Sequence, residues 1–89
     1  MLYMVIEHYN GHTKEVFELF RERGRMLPDG LEYVSSWIVQ PEGETCFQVM
    51  ETDQPELLQV WADKWQDIGV SFEFFPVLTS QQMSDKMLR

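Results

Sequence analysis

The apolar and polar positions of this 89-residue chain alternate between two periods, and each change of period marks an element. Residues 2–9, LYMVIEHY, mix β-branched and aromatic side chains and run into Asn10-Gly11, which predicts a strand followed by a turn. Thr13 is placed to cap the next helix, with Glu15 in its first turn at the positive end of the helix dipole. Val16, Phe20 and Leu27 fall along one side of it, flanked by Phe17 and Leu19. Gly24 offers a stop. Pro28, Asp29 and Gly30 then turn the chain into a second strand, 31–40. The loop 41–44, PEGE, leads to a third strand, 45–51. Asp53-Gln54-Pro55-Glu56 has the form of a capping box with Pro55 in the first turn. It opens a helix running to about Ile68, whose Leu58, Trp61, Trp65 and Ile68 recur at helical spacing. Residues 70–77, VSFEFFPV, make a fourth strand, with Pro76 marking its end or a sheet edge. Residues 80–88 form a short helix with Met83, Met87 and Leu88 on one side.

The order βαββαβ with a tail helix is that of the split βαβ, or ferredoxin-like, fold. It predicts an α+β domain: a four-stranded antiparallel sheet in the order 4-1-3-2, with both long helices on one face. The length argues for one domain, residues 1–89.

Side chains alternate between the two faces of a sheet. Counting back from a loop at 41–44 pairs Trp37 with Gln48, Val39 with Cys46 and Ser35 with Met50. One face then carries Val34, Ser36, Ile38, Phe47 and Val49, together with Leu2, Met4, Ile6, Phe72 and Phe74; matching apolar with apolar assigns it to the helices. The other carries Tyr3, Val5, Glu7, Tyr9, Tyr33, Trp37, Gln48, Met50, Glu73, Phe75 and Val77. A face so rich in aromatic residues is expected to meet a second subunit or a ligand instead of water. A one-residue slip in the loop would exchange the faces.

Composition sharpens this picture. A domain of this length buries only about 60–65% of the surface of its unfolded chain, and a second copy is a common remedy. Asp and Glu number 15 against 7 Lys and Arg, a net charge of −8, which disfavours nucleic acid and anionic lipid as partners. Cys46 is the only cysteine, so no intrachain disulfide forms, and a lone thiol suits a reducing, cytoplasmic setting. No apolar run approaches the roughly 18–20 residues of a membrane span. MLYMVIEHY lacks the basic start and small-residue cleavage site of a leader and is expected to be a strand.

The stretches RERGRMLPDGLEYVSSW and CFQVMETD, set in the βαββαβ order, resemble a family of short bacterial-type proteins of unknown function within the dimeric α+β barrel group. The resemblance runs from MLYMVIE to PVLTS and implies a homodimeric barrel, but no activity or catalytic residues. Wider relatives of that fold include cofactor-free monooxygenases, small lactone isomerases, stress-response barrels and haem-handling enzymes. The His pairs and Asn/Trp arrangements of those enzymes are not recognisable in this chain, and fold alone assigns no chemistry.

Few residues suggest chemistry. Glu7 and Glu73 fall on strands expected to be neighbours; if adjacent, one would hold its proton more tightly and serve as acid or base. The alternatives are that they are staggered, solvated or paired with an arginine. His8 and His12 show no metal-ligand spacing, and Cys46 has no second soft ligand, so neither a metal nor a cofactor is expected. Cys46 as a nucleophile would need a positive neighbour, and a buried apolar role is the simpler reading. Arg21, Arg23 and Arg25 could bind an anion, but spacing of two spreads them over different helix faces and a solvated helix end is the better reading; Trp61 and Trp65 read as core or as the wall of a pocket between helix and sheet. The resulting expectation is a homodimeric small-molecule-binding or interaction module. The alternative is a cofactor-free enzyme acting on a small apolar or aromatic substrate by acid–base chemistry, with a pocket near Tyr33, Trp37, Gln48 and Glu7.

Overall fold

The elements follow the chain as β1 (Leu2–His8), α1 (Thr13–Arg23), β2 (Glu32–Ile38), β3 (Thr45–Glu51), α2 (Glu56–Gln66), β4 (Ser71–Val77) and α3 (Ser80–Met87), in a computed structural model that describes residues 1–89. The four strands form one sheet in the order β2-β3-β1-β4, every neighbouring pair antiparallel. This is the ferredoxin-like topology expected from the element order. β4 lies at an edge of the sheet, a position where the missing N–H of Pro76 is tolerated. No helix is long and apolar enough to cross a membrane.

Helix ends are set partly by devices other than those expected. Gly24, at φ 67°, closes α1 and donates its N–H to the Phe20 carbonyl. The residue capping α1 is His12, however, and Thr13 instead donates its hydroxyl to the Gly43 carbonyl at 3.0 Å. The expected Asp53–Glu56 capping box is also absent: Pro55 stands at the start of α2 without a side-chain cap, and Thr52 organises the turn. The buried Thr52 hydroxyl donates to the Gly30 carbonyl at 2.7 Å and accepts from the Gln54 N–H at 3.0 Å. A true capping box occurs at α3, where Thr79 and Gln82 exchange hydrogen bonds. None of the residues of α3 is buried.

The face assignment is reversed from the expectation in β1, in β3 and at Tyr33, whereas Ser36, Ile38 and Trp37 lie on the faces expected for them. Tyr3, Val5, Glu7 and Tyr9 from the first strand segment, and Cys46, Gln48 and Met50 from β3, are all buried beneath the helices. Leu2, Met4 and Ile6, expected against the helices, lie on the open face with Phe47 and Val49. In β4 the pairing sets Phe72 opposite Glu7 and Phe74 opposite Val5, so these two rings do point toward the helices. Phe75 pairs with Met4 and belongs to the open face.

Two features of β2 account for much of the discrepancy. The Val39 N–H donates to the Thr45 carbonyl at 2.9 Å, so the loop spans 40–44 and Trp37 pairs with Phe47 instead of Gln48. A bulge between Tyr33 and Ser35 then restores the opposite alternation, leaving Tyr33 across from Met50. Tyr33 and Trp37 therefore occupy different faces. Tyr33 is half-buried on the helix side, its hydroxyl 2.8 Å from Ser36, while Trp37 is 57% exposed on the open side.

The core forms between the sheet and α2. Leu58, Trp61, Ala62 and Trp65 are buried from α2, as the helical stripe predicts, against Val5, Met50 and Val70. The Trp61 and Phe72 rings meet edge-on at 5.3 Å, and Phe72 stacks with Phe74 at 6.0 Å.

Candidate functional site

The alternation of β1 and β3 aims Glu7, Cys46 and Gln48 at the helices, and the helices do not fill the space above them. A cavity of about 190 Å³ remains, floored by Glu7, Ser36, Ile38, Cys46 and Gln48 and walled by Tyr9, Val16, Trp61 and Trp65. Phe17, Phe20 and Arg25 complete its lining. Phe17 and Phe20 are partly exposed, so they mark the mouth. Phe17 packs edge-on against Tyr9 at 6.1 Å.

Arg25 organises this wall. Gly24 ends α1 in a left-handed conformation, and Met26 follows at φ 59°, so Arg25 is carried off the helix and turned toward the sheet. Its carbonyl accepts the indole N–H groups of Trp61 at 2.9 Å and Trp65 at 3.3 Å. Lys64 donates to the neighbouring Met26 carbonyl at 2.9 Å. These three bonds tie the α1–β2 connection to α2 and fix both indole planes. The Arg25 guanidinium carbon lies 3.6 Å from the centre of the Tyr33 ring and 4.9 Å from that of Phe20, so two aromatic faces hold the cation.

The floor is a set of polar groups in an apolar box. Glu7 is 6% exposed and Gln48 5%. Burial pushes the Glu7 carboxyl above the usual carboxylate range, against the opposing effects of the Cys46 thiol and the Arg25 charge. Burial and the nearby Glu7 charge push the Cys46 thiol up to about 12. Tyr9 is raised by burial first and by Glu7 second. Gln48 donates one amide hydrogen to the Met50 sulfur at 3.2 Å. No polar side-chain atom is sealed away without a partner, so the carboxyl of Glu7 and the amide oxygen of Gln48, which accept no N–H or O–H bond from the protein, border the open space. Such a site can accept or deliver a proton at Glu7 and orient a ligand through Gln48. A thiol held that high is a poor nucleophile at neutral pH.

The residues singled out from the sequence separate into two sites. Glu7 and Glu73 are not a pair: Glu73 sits across from Ile6 on the open face, its carboxylate 2.6 Å from His8 Nε2, while Glu7 lies beneath the helices. Tyr9 and Gln48 join Glu7 at the cavity; Tyr3 and Met50 are buried further along the same face. Trp37 and Phe75 stay on the open face, 57% and 46% exposed. His12 Nδ1 lies 3.0 Å from Glu15 in the first turn of α1. No group of three or more His, Cys, Asp or Glu side chains converges on a point that could hold a metal ion. The cavity lining adds Ser36, which the sequence did not mark as a site residue, and Arg25, which the sequence offered only with Arg21 and Arg23 as an anion site less favoured than a solvated helix end. The available signal for Arg25 was its place immediately after Gly24, where a helix-stop glycine takes the following residue out of the helical pattern.

No curated protein and no solved structure matches this chain. A family described as a domain of unknown function matches residues 1–89, so the chain belongs, over its whole length, to the DUF3303 family.

Proposed function

We propose that the protein is a homodimeric module that binds a small, largely aromatic molecule in the cavity between its sheet and its helices. The cavity itself carries this reading: about 190 Å³, walled by aromatic and aliphatic side chains, with Glu7 and Gln48 converging on its floor. Mostly apolar concavities with a few aimed polar groups are the usual form of a small-molecule site. An engineered apolar cavity of about 150 Å³ holds a benzene ring, so one six-membered ring with a substituent fits the volume. Calorimetric titration with benzyl alcohol tests the reading. Wild type is expected to bind with 1:1 stoichiometry per chain, and Ile38→Phe, which fills the cavity from β2, is expected to lose that binding. Equal binding by both proteins would place the ligand elsewhere.

The dimer rests on the open face. Val34, Trp37, Phe47 and Phe75 are all exposed there on the side of the sheet opposite the helices. Apolar patches of that kind are seldom left to water. Sheet-to-sheet contact with a second copy would cover them, and sedimentation at micromolar concentration is expected to report a species of twice 10.6 kDa.

A second reading, acid–base catalysis, is favoured by one observation: Glu7 is the only carboxyl group lining the cavity, and burial raises its pKa toward the range in which it can both give and take a proton. Deuterium wash-in at the carbon between ring and carbonyl of phenylacetone, followed by proton NMR, tests it. Exchange above the buffer rate, lost in Glu7→Gln, is the expected result for an enzyme.

A further inference from the structure

We propose that the molecule this cavity takes is a small aromatic carboxylate, its ring between Trp61 and Trp65 and its carboxylate on the Arg25 guanidinium at the mouth. The inference rests on the cavity-binding reading and names the ligand class for it. Its basis is the unusual state of Arg25. The chain has 15 acidic side chains and 7 basic ones, so an arginine has ample opportunity to find a carboxylate. Yet all four ion pairs of the protein involve the N-terminus or a histidine, and Arg25 is in none of them. Its guanidinium is held instead by the rings of Tyr33 and Phe20. Two aromatic faces fix a planar cation without using its N–H donors, which leaves the fork edge free. That edge matches a carboxylate through two parallel hydrogen bonds.

The remainder of the cavity suits the other end of such a ligand. Its walls are rings and aliphatic groups, and its volume accepts one aromatic ring. The only anionic group on the floor, Glu7, is the one whose charge burial disfavours. A carboxylate seated on Arg25 removes the positive charge that helps Glu7 ionise and adds a negative one, so binding draws a proton onto Glu7. The titratable and charged groups facing Glu7 are Cys46 from β3, Tyr9 beyond β1 and Arg25 from the α1–β2 connection; α2 presents the uncharged Trp61 and Trp65, and β4 presents Phe72. Cys46 and Tyr9 are both held in their neutral forms, so a pH dependence of carboxylate binding belongs to Glu7, whose carboxyl is shifted upward by burial.

Benzoate and benzyl alcohol, titrated calorimetrically at pH 6 and pH 8, separate the two halves of the argument. Wild type is expected to bind benzoate at least tenfold more tightly than the alcohol at pH 6. The benzoate affinity is expected to fall toward pH 8 while the alcohol affinity holds. Arg25→Met should abolish the preference for benzoate, and Arg25→Lys, which keeps the charge but not the fork, should retain part of it. Both variants keep the Arg25 carbonyl that anchors the two indoles, and melting curves check that they fold. Glu7→Gln should remove the pH dependence and leave the Arg25 dependence in place. Alcohol binding without a benzoate preference, or a preference that survives Arg25→Met, would overturn the carboxylate assignment while the cavity reading stands. Failure of both probes to bind would remove both.

Discussion

Glu7 and Cys46 stand directly opposite each other across the two central strands, and the thiol rests against the carboxyl group beneath the helices. Each is buried, and each carries a pKa moved toward its neutral form. The most protected part of the sheet therefore holds two groups that resist ionisation and a cavity that meets them both.

The first consequence is a stability that depends on pH. A carboxyl group with a raised pKa keeps its proton in the folded state at pH values where the unfolded chain has lost it. Its contribution to stability therefore declines as pH rises from the ordinary glutamate value through the raised one, and stays low above it. Glu7→Gln removes that loss. The variant is expected to melt near the wild-type temperature at pH 4 and above it at pH 8. For a domain of this size each 1 kcal/mol appears as about 4–8 °C. A Glu7→Gln variant that melts below wild type at pH 8 would mean that ionised Glu7 is net stabilised, with Arg25 outweighing burial.

Trp37 offers a test of the dimer that does not disturb the protomer. It is 57% exposed on the open face, so Trp37→Glu costs an isolated chain little. Buried between two sheets, an unpaired carboxylate costs about 3–5 kcal/mol. Each dimer carries the substitution twice, so sedimentation equilibrium is then expected to show association weakened by roughly four to seven powers of ten, which leaves a monomer at micromolar concentration. Unchanged association would require the contact to lie elsewhere.

Thr52 joins two segments through one hydroxyl, donating to the Gly30 carbonyl and accepting from the Gln54 N–H in its own turn. Thr52→Val keeps the shape and strands both backbone partners beside a buried methyl group. Chemical denaturation is expected to show a loss of about 1–3 kcal/mol, the usual cost of an unmet polar group. A loss below 0.5 kcal/mol, on the same scale, would mean that water replaces the hydroxyl.

The element order was legible because it depends on local signals: the Asn10-Gly11 turn, the Gly24 stop, the stripe of Leu58, Trp61 and Trp65. The choice of face was not. It turned on whether the hairpin loop began at Gln40 or Pro41 and on a bulge beside Val34, and neither has a local signature that fixes the count. Matching apolar with apolar also misled, because this fold buries Tyr3, Tyr9, Glu7 and Gln48 beneath the helices and leaves Leu2, Met4 and Phe47 on the open side. The candidate site was half visible. Glu7, Gln48 and Tyr9 were named, and Trp61 and Trp65 were weighed as a pocket wall. Arg25 was grouped with Arg21 and Arg23 as a helix end, and only the left-handed turn at Gly24 and Met26 separates it from them.

The Glu7–Cys46 contact predicts a reaction rate whose direction is informative. With its pKa at about 12, the Cys46 thiol is ionised to roughly one part in ten thousand at pH 8, so iodoacetamide should modify it far more slowly than a free cysteine. Glu7→Gln removes a negative charge that opposes the thiolate. If iodoacetamide reaches Cys46 in the folded protein through the cavity, the variant should react faster than wild type at pH 8 while remaining slower than a free thiol. If modification instead requires the fold to open, the variant should react more slowly, because the same substitution is expected to stabilise the fold at that pH. The two routes thus give opposite signs for one substitution. A faster reaction, measured by mass spectrometry alongside the melting curves, would show both that Glu7 holds the thiol neutral and that a small molecule enters the cavity. A slower one would mean that the cavity is closed to a reagent of that size.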